Sequence, residues 1–272
     1  MLLATLRSEC FSMLDAAESD ALIAHVIDRD RAWLRAHDDE PVNDTDADRV
    51  RALARRRGAG EPLAYLIGSA GFYRREFLVD PRVLIPRPET EHLVEAAVTH
   101  LRQYRAPRAL DVGTGSGAIA LTLAAEVRSA RVDATEASPD ALIVAIANRD
   151  RLGLNGRVAF YLGNLVDPVA RNHYDAIVAN LPYVPSGAGD PDLRFEPALA
   201  LDGGPDGLKF YREFFASVPP LVNAGGLVLA EGAPPIASGL LALAQAAFPQ
   251  AAVTLERDYG GRERFVQVIT PA

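Results

Sequence analysis

The 272-residue sequence has one cysteine and no apolar run close to the ~20 residues that a membrane-spanning helix needs. A single cysteine excludes an internal disulfide and a zinc site built from cysteines. Cys10 lies in an apolar stretch, which predicts a buried and unreactive thiol. The first residues also lack the apolar segment and small-residue cleavage site of a signal peptide, so we expect a cytoplasmic protein.

Basic residues are not in excess either. The 28 Lys and Arg residues face 36 Asp and Glu residues, which gives a net charge of −8. This acidic balance argues against broad nucleic-acid binding. For the oligomeric state, which the sequence does not reveal, our default expectation is a monomer. A hydrophobic content of 49% is typical of a globular protein, and the length predicts one large or two smaller domains.

The N-terminal part of the chain has apolar residues at helical spacing and predicts a small all-helical domain over residues 1–70. Ser19 with Asp20 is the predicted N-cap of one helix, and Thr45 or Asp46 that of the next long helix.

Residues 71–88 alternate apolar and polar side chains and are rich in proline, which predicts a linker that contains a β-hairpin. From residue 89 to 272 strand and helix patterns alternate. The predicted strands are 108–112, 131–135, 157–162, 174–179, 226–231, 251–257 and 264–269. The predicted helices are 89–104, 117–126, 139–151, 206–218 and 235–247. This order predicts an α/β domain with a doubly wound, mostly parallel sheet and an antiparallel hairpin at one edge.

A glycine-rich turn, Asp111-Val-Gly113-Thr-Gly115-Ser-Gly117, follows the first of these strands and opens a helix. Glycines permit a tight turn and the close approach of a ligand to the backbone. Glu136 ends the next predicted strand, 136 − 117 = 19 residues further on, where a carboxylate can accept both hydroxyls of a ribose. We therefore expect an adenosine-containing ligand. S-adenosylmethionine and a dinucleotide both stay open, because Gly113, Gly115 and Ala118 also fit G-x-G-x-x-G/A.

A second motif, Asn180-Leu181-Pro182-Tyr183, follows the predicted strand 174–179. The carboxyl end of such a strand faces the ligand crevice. The Asn180 side-chain oxygen and the Leu181 carbonyl can accept the two hydrogens of a substrate –NH2 group, and Tyr183 offers a flat face to a planar amide or base. The motif predicts a site that holds a planar amine beside a methyl donor.

Four separated segments now resemble one family in order: VLIPRPETE from Val83, LDVGTGSGAIALTLA from Leu110, VANLPYVP from Val178 and ALDGGPDG from Ala200. They resemble the HemK/PrmC family. The resemblance implies a class I S-adenosylmethionine-dependent methyltransferase that modifies the side-chain amide of the GGQ glutamine in peptide chain release factors. It runs nearly end to end, and residues 1–70 resemble the helical domain with which the family helps hold the release factor.

The resemblance also assigns the site, with S-adenosylmethionine as cofactor and no metal. The implied methyl-donor contacts are Asp111, Gly113, Thr114, Gly115, Ser116, Gly117, Glu136, Asn164, Leu165 and Asn180. The implied catalytic and substrate-amide residues are Asn180, Leu181, Pro182 and Tyr183. Arg87 lies in the loop beside the implied entrance, as a substrate contact or in a local ion pair.

Some residues depart from the family pattern. The family usually has Asn-Pro-Pro-Tyr, and Leu181 keeps the backbone carbonyl but loses the fixed φ of proline. The family also commonly has Asp where this chain has Glu136 and Asn164, and the segment after Glu231 lacks the usual glycine-rich continuation. The NLPY form also resembles the motif of ribosomal-RNA adenine dimethyltransferases.

Three alternatives follow. The first is the same fold acting on another acceptor: a small molecule, a peptide or a nucleic-acid amine. The second is a nicotinamide-dependent oxidoreductase, which G-x-G-x-x-A permits. The third is a catalytically silent binding protein that keeps the fold as a scaffold.

Overall fold

The computed structural model describes residues 1–188, 193–258 and 260–272. The chain divides into two compact units, Met1–Ser69 and Ala70–Ala272. The predicted linker over residues 71–88 lies in the second unit, where Phe72 and Phe77 belong to the hydrophobic core. Among the described residues, no helix has the length and apolar character needed to span a membrane.

Helices build the first unit: α1 (Leu3–Phe11), α2 (Ala16–Ile27), α3 (Arg31–Ala36), α4 (Asp44–Gly58) and α5 (Leu63–Ile67). Their apolar faces pack around one buried cluster that includes Leu6, Leu22 and Val50. Cys10 is fully buried in this cluster, and burial raises the pKa of its thiol to about 11. The predicted burial of this thiol is confirmed, and the raised pKa disfavours the thiolate, which is the reactive form.

The helix caps differ from the predicted ones. Asp15 caps α2 by accepting from the Glu18 N–H at 2.9 Å, and Asn43 caps α4 by accepting from the Asp46 N–H at 2.9 Å. Both helices start earlier than predicted because an earlier side chain reaches the free N–H groups of the first turn. The predicted caps were wrong, and they lie inside the helices: Ser19, Asp20, Thr45 and Asp46.

Strands β1 (Ser69–Phe72) and β2 (Arg75–Leu78) form a hairpin, which belongs to the second unit except for Ser69. Its turn places Tyr73 and Arg74 at φ 47° and 63°, which suits the right-handed twist of a tight hairpin. The other strands are β3 (Arg108–Val112), β4 (Arg131–Glu136), β5 (Val158–Leu162), β6 (Tyr174–Ala179), β7 (Val222–Glu231), β8 (Ala252–Arg257) and β9 (Glu263–Ile269). The helices are α6 (Thr90–Leu101), α7 (Ala118–Glu126), α8 (Pro139–Arg151), α9 (Lys209–Ser217) and α10 (Pro234–Ala247).

Seven strands form one sheet in the order β5-β4-β3-β6-β7-β9-β8. The pairs from β5 to β7 are parallel, and β9 is antiparallel to both β7 and β8. The α/β fold class and the antiparallel edge hairpin are therefore confirmed. Strand β7 starts four residues before its predicted start at 226, because Val222 pairs with Tyr174 beyond an irregularity in the register.

Helices cover both faces of the sheet. One core packs α6 and α7 against the sheet through residues such as Leu93 and Leu121, and the other packs α9 and α10 through residues such as Phe214 and Leu240. The order of connection reverses at β3, which lies between β4 and β6. At such a switch point the carboxyl ends of the strands open into a crevice, so the turns after β3, β4 and β6 meet there.

Candidate active site

The glycine loop after β3 is shaped by left-handed backbone. Gly113, Gly115 and Gly117 have φ values of 74°, 55° and 83°, which residues with a Cβ adopt at a cost. The N–H groups of Gly113 and Thr114 donate to the Thr135 carbonyl at 2.9 and 3.0 Å, which fastens the loop to β4. A Cβ on Gly115 would meet no atom within 4 Å, so the loop borders open space where a ligand can approach the backbone.

Asp111 lies beneath this loop and is fully buried. Its Oδ2 accepts from the Thr114 hydroxyl at 2.6 Å and from the Ala120 N–H at 3.0 Å, while its Oδ1 has no hydrogen-bond partner. Desolvation, with a smaller contribution from the nearby Glu136 carboxylate, raises the pKa of Asp111 to about 7, although its two hydrogen bonds act to lower it. Asp111 does not line the cleft, so it supports the conformation of the glycine loop through its hydrogen bonds.

Glu136 ends β4 at the edge of the cleft. Its Oε2 accepts from the Gly115 N–H at 2.8 Å, and its Oε1 accepts from the Ser138 N–H at 2.9 Å. These bonds hold the carboxylate against the glycine loop. Each oxygen keeps a further lone pair, so the group can still accept from the hydroxyls of a ribose.

The turn after β5 brings Asn164 and Leu165 to the same cleft. The Gly163 N–H donates to the Glu136 carbonyl at 2.9 Å, which joins this turn to the end of β4. Leu165 has φ 42°, a left-handed conformation that costs a leucine about 1–2 kcal/mol. Backbone strain of this kind concentrates at functional sites.

The acceptor loop, Asn180 to Tyr183, follows β6 directly. The Asn180 Nδ2 lies 3.3 Å from the Thr90 hydroxyl, and the Leu181 N–H donates to the Tyr211 hydroxyl at 3.1 Å. Tyr183 lies half-buried beyond the residues that line the cleft. Burial raises the pKa of its phenol to about 12, and the Glu231 carboxyl adds to the increase.

The ALDGGPDG segment packs against the back of the acceptor loop. The Val184 N–H donates to the Leu201 carbonyl at 2.9 Å, and the Gly203 N–H donates to the Val184 carbonyl at 2.8 Å. A Cβ on Gly203 would lie 2.7 Å from the Pro182 carbonyl oxygen. The glycine in this segment is therefore required by the close approach of two backbones.

Arg87 lines the cleft and pairs with Glu196, whose side chain is almost completely buried. The second carboxylate oxygen of Glu196 accepts from the Ile85 N–H at 3.1 Å. This pair joins the loop before α6 to the loop that precedes α9. Arg87 thus has the local ion pair that the sequence analysis considered, at the border of the cleft.

One cleft of ≈ 1090 Å³, including its open mouth, collects most of the site residues inferred from the sequence. The predicted residues that line it are Arg87, Gly113, Thr114, Gly115, Ser116, Glu136, Asn164, Leu165, Asn180, Leu181 and Pro182. Those that do not line it are Asp111, Gly117 and Tyr183. Gly117 is instead the N-cap residue that precedes α7, and its N–H donates to the Thr114 carbonyl at 2.9 Å. Within the described ranges no cluster of His, Cys, Asp or Glu side chains is suited to a metal ion.

Comparison with known proteins identifies the family to which the chain belongs. Residues 8–68 match the PrmC N-terminal domain, and residues 90–193 match the methyltransferase small domain. The chain is 42% identical over 225 residues to a release factor glutamine methyltransferase of Xylella fastidiosa, covering 80% of this chain and 81% of that protein. It is 41% identical over 250 residues to the release factor glutamine methyltransferase of Moorella thermoacetica, covering 91% of this chain and 88% of that protein.

The chain belongs to the release factor glutamine methyltransferase family. A solved structure of the T. thermophilus 16S rRNA N2 G1207 methyltransferase in complex with AdoMet and guanosine is similar in fold, with a TM-score of 0.55. It is 18% identical and covers 74% of this chain and 49% of that chain. The class I methyltransferase fold inferred from the sequence is confirmed. The choice between a methyl donor and a dinucleotide is decided for S-adenosylmethionine.

The cleft of this glutamine methyltransferase fits that cofactor. The open space beside Gly115 admits a ligand to the loop backbone, and the Glu136 carboxylate stands at its edge. Apolar side chains, Val83, Leu84 and Ile119 among them, line the same cleft and suit the flat faces of an adenine. The glycine loop, Glu136, Asn164 and Leu165 are the residues that would hold the donor.

Sequence reasoning missed four residues that organise the methyltransferase site. Thr90 and Tyr211 contact the acceptor loop, and Glu231 lies behind it. Asn148 on α8 is buried and donates from its Nδ2 to the carbonyls of Leu78 and Ser116 at 3.0 and 2.9 Å, which ties β2 to the glycine loop. A polar side chain on the buried face of a helix, as at Asn148, is the signal that could have found it.

Proposed function

We propose that this chain transfers a methyl group from S-adenosylmethionine to the side-chain amide nitrogen of the GGQ glutamine in peptide chain release factors. Family membership supports the activity and the acceptor. One observation carries the assignment of residues: Asn180, Leu181 and Pro182 line the same cleft as Glu136 and most of the glycine loop.

The proposed mechanism relies on two hydrogen-bond acceptors. An amide nitrogen is a poor nucleophile because its lone pair is delocalised into the carbonyl. The Asn180 Oδ1 and the Leu181 carbonyl would accept its two hydrogens, which raises electron density on nitrogen and orients it for attack. When bound, S-adenosylmethionine supplies an electrophilic methyl group on a sulfonium, which is a good leaving group. In this transfer the nitrogen–carbon bond would form as the sulfur–carbon bond breaks, and the nitrogen would then release one proton to solvent.

The remaining site residues have supporting places in this proposal. Pro182 restricts the loop backbone next to the Leu181 carbonyl, and Tyr183 supplies an apolar ring beside it. Asp111 and Gly117 hold the shape of the glycine loop. Arg87, paired with Glu196, keeps the loop at the cleft border in place for the acceptor.

The first unit is the proposed recognition element for the release factor, because residues 8–68 match the PrmC N-terminal domain. The acceptor is a translation factor, so we place the enzyme in the cytoplasm. We expect it to act as a monomer.

Transfer of labelled methyl groups tests the proposal. Purified enzyme is incubated with labelled S-adenosylmethionine and a bacterial release factor, beside a copy in which the GGQ glutamine is replaced. We expect label on the first protein alone, and none with the Asn180→Ala enzyme. Label on both copies would show a different acceptor position. No label on either copy, with donor binding intact by calorimetry, would refute the release factor as acceptor and retain the methyltransferase fold.

A further inference from the structure

The end of β7 places Glu231 beside the acceptor loop. Strands β6 and β7 are parallel neighbours, and Ala179 pairs with Ala230. The next residue on each strand is Asn180 and Glu231, so the register brings these two positions together. Glu231 is 3% exposed, and its Oε2 has no hydrogen-bond partner. A carboxyl that is buried at the end of a strand without full hydrogen bonding costs stability, which calls for a functional reason.

The Glu231 carboxyl interacts with the Asn180 amide. The side chains of Thr90 and Asn180 both stabilise its charged form and so lower its pKa, against the larger effect of burial. Thr90 in turn lies 3.3 Å from the Asn180 Nδ2. A carboxylate and a hydroxyl oxygen on the Nδ2 side of an amide favour one of its two flipped orientations, because only the –NH2 end can donate to them. The Oδ1 end is then free to accept from a substrate.

The backbone of Glu231 reaches the Leu181 peptide through Tyr211. Tyr211 is fully buried, and its hydroxyl donates to the Glu231 carbonyl and accepts from the Leu181 N–H at 3.1 Å. The Leu181 carbonyl lies farther from that hydroxyl, at 3.4 Å, so it keeps lone pairs for another donor. Leucine has a free φ, unlike Pro182 after it, so this hydrogen bond restrains a peptide that the residue type leaves mobile.

We propose that Glu231 and Tyr211 are positioning residues for methyl transfer: together they hold the Asn180 amide and the Leu181 peptide in the orientation that receives the acceptor –NH2 group. Tyr211 does not line the cleft and Glu231 does not either, so they act through the acceptor loop. The inference rests on the proposed function for its catalytic consequence, but the restraint on the loop can be measured without any acceptor.

The test compares Tyr211→Phe with a matched control, Tyr174→Phe. Tyr174 is also a fully buried tyrosine, and its hydroxyl donates to the Asp133 carboxylate at 2.8 Å at the opposite end of β6. Each substitution removes one buried hydroxyl and keeps the ring. A merely structural loss would therefore affect both variants alike.

Two readouts are used on the full chain. Amide hydrogen exchange of the Leu181 N–H should become at least about tenfold faster in Tyr211→Phe and stay unchanged in Tyr174→Phe. With donor and release factor, kcat should fall about 10- to 100-fold in Tyr211→Phe, while the dissociation constant of S-adenosylmethionine stays within about twofold. Glu231→Leu should show the same pattern in kcat, because leucine is similar in volume and lacks both oxygens that can accept from the Asn180 –NH2 group.

Equal loss of kcat in both tyrosine variants, or unchanged kcat in Tyr211→Phe, would overturn the positioning role. Unchanged exchange at Leu181 in Tyr211→Phe would overturn the restraint itself. If the wild-type enzyme transfers no methyl group to a release factor, the proposed function fails, and the exchange comparison still decides whether Tyr211 restrains the loop.

Discussion

The buried carboxyl of Asp111 predicts an unusual dependence of stability on pH. The folded protein raises the pKa of Asp111 to about 7, whereas an aspartate in an unfolded chain titrates near 4. Between these values the unfolded state binds fewer protons than the folded state. The contribution of Asp111 to stability therefore falls as the pH rises from about 4 to about 7, and it stays constant above that range.

The substitution Asp111→Asn removes this titration and keeps an oxygen that can accept from Thr114 and Ala120. Its own cost, an –NH2 group at the place of the unpartnered Oδ1, is the same at every pH. In the wild type the contribution of Asp111 to stability falls between pH 5 and about pH 7, which is about two pH units at 1.36 kcal/mol each. It stays constant from there to pH 8. Relative to wild type, the variant should therefore gain about 2 to 3 kcal/mol of unfolding free energy over this interval.

Native-state hydrogen exchange, without S-adenosylmethionine, measures the unfolding free energy of the second compact unit, which contains Asp111. Leu110 and Ile177 are paired in the central strands β3 and β6 and are fully buried, so their amides report the opening of the second unit. Fluorescence would not, because the single tryptophan, Trp33, lies in the first unit. Glu231 also has a pKa raised by burial to about 7, but it is present in both proteins and cancels in the comparison. If the difference in unfolding free energy between Asp111→Asn and wild type is the same at pH 5 and pH 8, the raised pKa of Asp111 is refuted.

Further predictions concern the cleft. Asn180→Ala should lower kcat by at least about 100-fold, because it removes a proposed acceptor of the substrate –NH2 group. The melting temperature should change little, because the structural loss is limited to the interactions of Asn180 with Thr90 and Glu231. Turnover near wild type would contradict the role of Asn180. Glu136→Ala should weaken S-adenosylmethionine binding about 10- to 100-fold by calorimetry, since a charged hydrogen-bond acceptor is lost; unchanged affinity would remove its ribose role. Gly113→Ala should lower kcat, because its φ is 74° and its new Cβ would lie 3.1 Å from the Leu181 side chain. The control Gly153→Ala has φ 67° and meets nothing within 4 Å, so it should lose similar stability and keep turnover.

Local patterns in the sequence predict most of the fold. The strands 108–112 and 174–179 and the helix 139–151 have the predicted bounds in the structure. These segments are predicted well because their apolar patterns are long enough to distinguish the period of a helix from that of a strand. Glycine, proline or a capping serine also marks their ends. Caps were predicted less well, since several neighbouring Ser, Thr, Asp and Asn residues can each start a helix and their competition depends on packing.

The sequence also predicts which motifs form the candidate site. The glycine loop, Glu136 and the acceptor loop each follow a predicted strand, and the carboxyl ends of neighbouring parallel strands meet at one edge of a sheet. Three residues of these motifs do not line the cleft, contrary to the prediction from the sequence. Asp111 is buried and hydrogen-bonds within the glycine loop, Gly117 precedes α7, and Tyr183 lies beyond the residues that line the cleft.

The sequence by itself thus determined the order of most elements, the fold class and the chemistry of the loops, because each depends on residues that are close along the chain. Only the tertiary structure decided what holds those loops. Thr90 meets Asn180 across 90 positions, and Tyr211 meets Leu181 across 30 positions. Contacts over such separations depend on strand register and on helix packing against the sheet, which no local pattern specifies. The burial that these contacts require also raises the pKa values of Asp111 and Glu231, so the electrostatics of the site is a property of the folded chain.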